Sequence, residues 1–302
     1  MVQNKFDLDS YLKEKSQKIE KVLERYFPSE KNYAERVICA GKYSLFAGGK
    51  RIRPILCLAG CEVVGGEWEK ILLFAAGIEC IHTYSLIHDD LPCMDNDDFR
   101  RGKPSCHKAF DEATAILAGD GLQALAFYFF THPDLVKNIN NKIKLLKAIH
   151  FISKAVGFEG MVGGQMVDLI MEGKKGNSKI LKWIHFNKTA KLIEASIVSG
   201  ALLGGATSKE LKALSSYGKN LGYAFQIIDD LLDILGDEEK LGKKIFSDIK
   251  KQKLTYPQLI GIEKTKELAK KYTEKAILSL IPFKERGIPL KSIAEFLLHR
   301  VY

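Results

Sequence analysis

Apolar residues recur at three- and four-residue steps through the stretches 71–88, 113–130, 143–156, 180–203, 211–235 and 292–301, and sustained two-residue alternation is almost absent. That spacing lines one face of a helix, so the chain is expected to be all-α, a single large helical bundle. Gly and Pro gather between the stretches, at 48–49, 54, 102–104, 163–164, 173–176 and 287–289, as short connections. No repeat, low-complexity tract or compositional break divides the 302 residues, which predicts one domain over 1–302. Two stretches, 71–89 and 221–235, are apolar nearly all round and should lie in the middle of the bundle.

The few polar residues in those two stretches matter most. Asp costs about 0.5–0.7 kcal/mol relative to Ala inside a helix, yet DDLPCMD at 89–95 and DDLLD at 229–233 set clusters of it in apolar surroundings. His82 and Asp89 are seven residues apart, about two turns, and share a face with Ser85 between them. Gln226, Asp229, Asp230 and Asp233 form one acidic stripe. A plain amphipathic helix shows water such a stripe too, but every charge here is Asp and none is Lys or Arg. Asp95 would lie off the face of an unbroken helix, so Pro92 is expected to end or bulge the helix and let Asp95 swing back beside Asp89. Crowded carboxylates repel unless a cation sits among them, and Mg2+ is the hard, oxygen-seeking cation common in enzymes that handle phosphates. The clusters read as two halves of one metal site.

Cationic side chains accompany them. Arg100-Arg101-Gly102-Lys103 follows the first cluster, and GGKRIRP at 48–54 sets Lys50 and Arg53 three residues apart at a helix start. Arg forks, Lys point charges and free N–H groups at a helix start all bind phosphate oxygens. The GxxxxGK[ST] spacing of a nucleotide-binding loop is missing, as are HExxH, CxxC and Gly-x-Ser-x-Gly. What remains is metal, phosphate and an apolar cavity. A diphosphate helped to leave inside a dry pocket yields a carbocation that an alkene can capture, and the released diphosphate can take the proton.

Bulk properties agree without deciding anything. Hydrophobic residues make up 46% of the chain, enough for a substantial core. The net charge of +9 suits nucleic acid, an acidic membrane or a polyanionic small substrate, and the Lys-rich stretches 137–147 and 264–275 read as solvated helix faces. The six cysteines form no CxxC pair and read as reduced thiols. The charged, amphipathic first residues predict no cleaved leader, and charged residues or His interrupt each apolar run before membrane-spanning length, so a soluble cytoplasmic protein without stable membrane insertion is expected.

The motifs in their order resemble the trans-isoprenyl diphosphate synthases, and among them the bacterial farnesyl diphosphate synthases. The resemblance rests on GGKRIRP at 48–54, IHTYSLIHDDLPCMDNDDFRRGKPSCH at 81–107, LAGDGLQALAF at 117–127, GGQMVDL at 163–169, KTA at 188–190, and FQIIDDLLD at 225–233 with LGK and KLTYP after it. It implies an isoprenoid-synthase bundle around a deep central cavity, a homodimer, and Mg2+ held by Asp89, Asp95 and Asp229 with Asp90, Asp230 and Asp233 in support. It further implies that Lys50, Arg53, His82 and Arg101 hold isopentenyl diphosphate, and that Arg100, Lys188, Lys243 and Lys253 grip the allylic diphosphate. Thr189 and Gln226 would turn oxygens toward the cationic tail, with Gln165 and Asp168 as organisers behind them. The role of Arg300 in the HRVY terminus stays open.

Product length is a packing question. Tyr84 lies five residues before Asp89, about a turn and a half lower, where its ring could floor the cavity. With the expanded DDLPCMD this resembles synthases that stop at C15, so farnesyl diphosphate is the expected product, and geranylgeranyl diphosphate the alternative. A terpene cyclase ordinarily lacks GGKRIRP and the second DDxxD, a helical metal phosphohydrolase needs more His ligands than the seven His supply, and a silent regulatory subunit would be expected to have lost an Asp cluster.

Overall fold

The computed structural model describes residues 6–31, 33–236 and 251–299. In chain order the helices are α1 (Leu8–Tyr26), α2 (Glu35–Leu45), α3 (Ile52–Val63), α4 (Leu72–Asp89), α5 (Cys106–Ala109), α6 (Glu112–Phe130), α7 (Pro133–Asn138), α8 (Lys142–Val156), α9 (Met161–Met171), α10 (Ser178–His185), α11 (Lys191–Gly204) and α12 (Ser208–Leu235). After residue 251 follow α13 (Tyr256–Ile260), α14 (Ile262–Leu278) and α15 (Ile288–Leu298). Among the described residues the only sheet is a hairpin pairing Phe99–Arg100 with Lys103–Pro104. The fold is all-α.

Residues 180–203 were expected as one helix, but α10 and α11 are joined by a π-helical turn, Phe186–Ala190. The extra residue of a π turn is invisible to a pattern built on 3.6 residues, and such turns favour functional sites. This one carries Lys188 and Thr189. The first Asp cluster behaves as Pro92 demands: α4 stops at Asp89, and the N–H of Asp95 donates to the carbonyl of Asp89 at 2.7 Å.

The helices α3, α4 and α11 form the centre. Their side chains are buried on nearly every face, α4 packs along α6, and α11 packs on α3, α8 and α12. Where α3 and α11 cross, the backbones touch: a Cβ on Gly60 would lie 2.3 Å from the Ile197 carbonyl oxygen, and one on Gly200 would lie 1.8 Å from that of Cys57. Only glycine permits this approach. At α12 a capping box fixes the start: Thr207 Oγ1 accepts from the N–H of Glu210, and Glu210 Oε2 accepts from the N–H of Thr207.

Against the sequence expectation, two stretches, Trp68–Asp89 and Glu112–Asn138, are long and apolar enough to cross a membrane by length and composition. The charged residues well inside each run, Glu79 in the first and Asp120 in the second, are too few to bring its mean hydropathy below that of a spanning helix. The first is 72% buried against other helices, as a core helix would be.

Candidate active site

The C-terminal ends of α4 and α12, the π turn, the start of α3 and the hairpin converge on a cavity of about 580 Å³. Met161, Val162, Met166, Leu169, Phe225 and Leu232 line its apolar part, and Arg53, His82, Tyr84, Asp89, Arg100, Arg101, Gln165, Lys188, Thr189, Gln226 and Asp229 also reach it. Both acidic clusters thus stand where helix carbonyls already point, the end of a helix that disfavours anions.

Charge is concentrated on the acidic side. Burial raises Asp89 to about 6, with Lys188 opposing the shift and Asp95 adding to it. Burial works on Asp95 too, but Lys188 and Lys253 outweigh it and hold that carboxyl at about 2. Lys253 Nζ donates to Asp95 Oδ1 at 2.8 Å and lies 3.8 Å from Asp168 Oδ2, while Lys188 Nζ donates to Asp168 Oδ2 at 2.7 Å. Burial opposes the charge on Lys188, yet Asp168, Asp95 and Asp89 together raise its affinity for a proton. Asp229 lines the cavity from α12.

Two of the aspartates expected to support the metal have other partners. Asp90 is buried and accepts from Arg100, which also donates to Asp97 Oδ2 at 3.1 Å, and Lys251 Nζ donates to Asp97 Oδ1 at 2.6 Å. Asp230 accepts from the N–H of Tyr256 at 3.1 Å and from Gln226 Nε2 at 3.3 Å, with His185 Nε2 at 3.5 Å. Asp90 therefore aims an arginine, and Asp230 ties the segment carrying Lys253 to α12. Neither lines the cavity. Asp233 is buried within α12.

The cationic side holds Arg53 and Arg101. Arg53 Nη1 is 3.2 Å from His82 Nε2, and burial followed by Arg53, Arg101, Arg100 and Arg51 holds His82 well below the usual imidazole range, so it stays neutral. Arg53 Nε and Arg101 Nη1 are buried with no hydrogen-bond partner among the described residues. Buried donors of this kind want an anion. Thr189 Oγ1 donates to Gln226 Oε1 at 2.7 Å, so it is the threonine oxygen rather than the amide oxygen that is left to face the cavity. The nitrogen and oxygen of Gln165 are buried without partners among the described residues. Lys50 is exposed, its ammonium 4.8 Å from the Phe296 ring centre, and does not line the cavity. Lys243 and Arg300 lie outside the described residues. Tyr84 is buried in the wall, its ring 5.8 Å from that of His88, and burial followed by the Asp89 charge pushes its phenol up to about 12.

Sequence reasoning missed Glu79, Arg51, Asp97, Lys251 and His185. Glu79 had a signal, since it is a carboxylate one turn before His82, in the apolar stretch of α4 ahead of the first Asp cluster. Lys251 had none.

Among the described residues no three His, Cys, Asp or Glu side chains converge on one point. The donor set nonetheless fits Mg2+, which takes one or two carboxylates and completes its shell with water and substrate phosphate. The strain on Asp89 is what a bound cation would relieve.

The polyprenyl synthetase family matches residues 35–279. The chain is 46% identical over 300 residues to a geranylgeranyl diphosphate synthase of Cyanophora paradoxa, covering 99% of this chain and 98% of the relative. Among solved structures it is similar to an FPP/GFPP synthase of Zymomonas mobilis (TM-score 0.85, 35% identity, covering 96% of this chain and 98% of the other). It is also similar to a geranyltransferase of Helicobacter pylori complexed with magnesium and isoprenyl diphosphate (TM-score 0.85, 31% identity, covering 98% and 97%).

Proposed function

The chain belongs to the polyprenyl synthetase family, and from that premise we propose that it joins isopentenyl diphosphate to an allylic diphosphate in a magnesium-dependent condensation. The observation that carries this reading is an apolar cavity rimmed on one side by Asp89 and Asp229 and on the other by buried donors of Arg53 and Arg101 that have no hydrogen-bond partner among the described residues. Arg53, His82 and Arg101 hold the homoallylic diphosphate, with Lys50, outside the cavity lining, expected to join them. Arg100, Lys188 and Lys253 grip the allylic one, with Lys243 expected beside them. Asp89, Asp95 and Asp229 would hold magnesium, which would neutralise the leaving group's charge. The Thr189 oxygen faces the electron-poor carbon, and the methionine and leucine wall keeps water from it. The departed diphosphate takes the proton.

On product length the relatives favour C20, and that reading stands ahead of the C15 expected from sequence. A specific observation keeps C15 as the second reading: the buried Tyr84 ring in the cavity wall. Purified protein given Mg2+, isopentenyl diphosphate and dimethylallyl diphosphate should release prenyl diphosphates whose length chooses between the two. A cyclic hydrocarbon, or phosphate release alone, would overturn the reading. We also propose that the chain works as a homodimer in the cytoplasm. Leu117 and Tyr128 are half-exposed, eleven residues apart on one face of α6, beside an apolar groove that includes Val37, Gly41 and Leu125.

A further inference from the structure

Glu79 is a carboxylate in the core, 1% exposed and midway along α4. Its Oε1 accepts from two guanidiniums: Arg51 Nη1 at 2.7 Å and Arg101 Nη2 at 3.4 Å. The two arginines differ in what else they reach. The Arg51 side chain is wholly buried, donates Nη2 to the Leu45 carbonyl at 2.7 Å, comes within 3.4 Å of Glu20, and does not line the cavity. Arg101 does line it, with Nη1 partnerless among the described residues.

Arg101 is also confined from its other side. A Cβ on Gly49, at φ +117°, would sit 2.8 Å from the guanidinium carbon of Arg101, so the fork lies between the Gly49 backbone and Glu79. Three residues further along α4, His82 meets Arg53 at 3.2 Å. One face of α4 therefore orients both arginines that reach the cavity from its cationic side. A long, flexible guanidinium binds phosphate well only when its fork is fixed beforehand.

Resting on the prenyl-transfer reading, we infer that Glu79, backed by the buried Arg51, is a positioning residue that sets Arg101 for the diphosphate of the homoallylic substrate. The competing role is purely structural, in which Glu79 neutralises Arg51 and nothing more.

Steady-state kinetics of Glu79→Gln, with each substrate varied in turn, separates the two. The KM for isopentenyl diphosphate should rise roughly tenfold or more, the loss expected for a charge-assisted hydrogen bond, with the KM for the allylic diphosphate and kcat changing far less. A structural role would lower the melting temperature and leave both KM values of the folded enzyme alone. Should Glu79→Gln fail to fold because Arg51 has lost its buried carboxylate partner, the charge-balanced pair Arg51→Gln with Glu79→Gln carries the test, and the same selective rise is expected. A folded variant with an unchanged homoallylic KM, or with both KM values raised alike, overturns the inference. Wild-type chain inactive toward isopentenyl and dimethylallyl diphosphates overturns the prenyl-transfer reading, and this inference with it.

Discussion

Burial lifts Asp89 to about 6, so a proton and a cation compete for it well above the range where an ordinary Asp, near 3.9, has finished titrating. The sign follows directly. Below about pH 6 the carboxyl is protonated and a metal must displace the proton, so apparent magnesium affinity falls as pH drops, by up to roughly tenfold per unit for one proton released. Above that pH it levels off. Calorimetric titration at pH 5 and pH 7.5 should show the difference in the wild type and lose it in Asp89→Asn; equal affinities at both pH values would refute this account. Tyr84 makes a second expectation at this scale. Replacing its buried ring by Ala opens the wall next to the apolar lining, so Tyr84→Ala should shift products toward longer chains, as read by chromatography of the dephosphorylated alcohols. An unchanged distribution would remove Tyr84 as a length determinant.

The elements explain why those residues meet. Helices α3 and α11 deliver Arg53 and the Lys188 turn to one cavity because their backbones touch at Gly60 and Gly200. A methyl added at Gly200 has no room beside the Cys57 carbonyl, so Gly200→Ala should cost about 1–3 kcal/mol, the usual range for overpacking. Calorimetric melting should show the loss, and turnover should fall as the two sides of the cavity are pushed apart. A variant that melts with the wild type would mean the crossing tolerates a shift. This crossing was illegible in the sequence, since nothing local marks which glycine meets which helix. The helices themselves were legible, because 71–88, 113–130, 143–156 and 211–235 repeat at the period that burial imposes and match α4, α6, α8 and α12 closely. The break at Phe186–Ala190 escaped notice because a single π turn leaves the apolar spacing on either side intact. The return of Asp95 toward Asp89 could be foreseen, because proline forbids the continuation. The rotations of Asp90 toward Arg100 and of Asp230 toward Tyr256 could not, since consecutive aspartates look alike until packing turns one of them inward.

At the scale of the whole molecule, apolar surface remains uncovered on α6. Glu in place of Tyr128 would set a charge in the middle of the proposed subunit contact, so Tyr128→Glu should shift the assembly from dimer to monomer by light scattering, with helicity retained. A wild-type chain that is already monomeric at working concentration would sink the dimer. Behind the cavity wall, Lys253 joins Asp95 and Asp168, and Lys188, which lines the cavity, joins Asp168 and lies in the field of Asp89. Ligands of opposite sign must break the same pairs. A divalent ion drawing Asp95 away would release Lys253 toward a phosphate, and a phosphate drawing Lys253 away would release Asp95 toward the ion. Thermodynamic reciprocity then requires each to tighten the other by one common factor. If the proposed prenyl transfer holds, this salt lattice would make the pocket a coincidence detector, answering to ion and pyrophosphate together more strongly than to either alone.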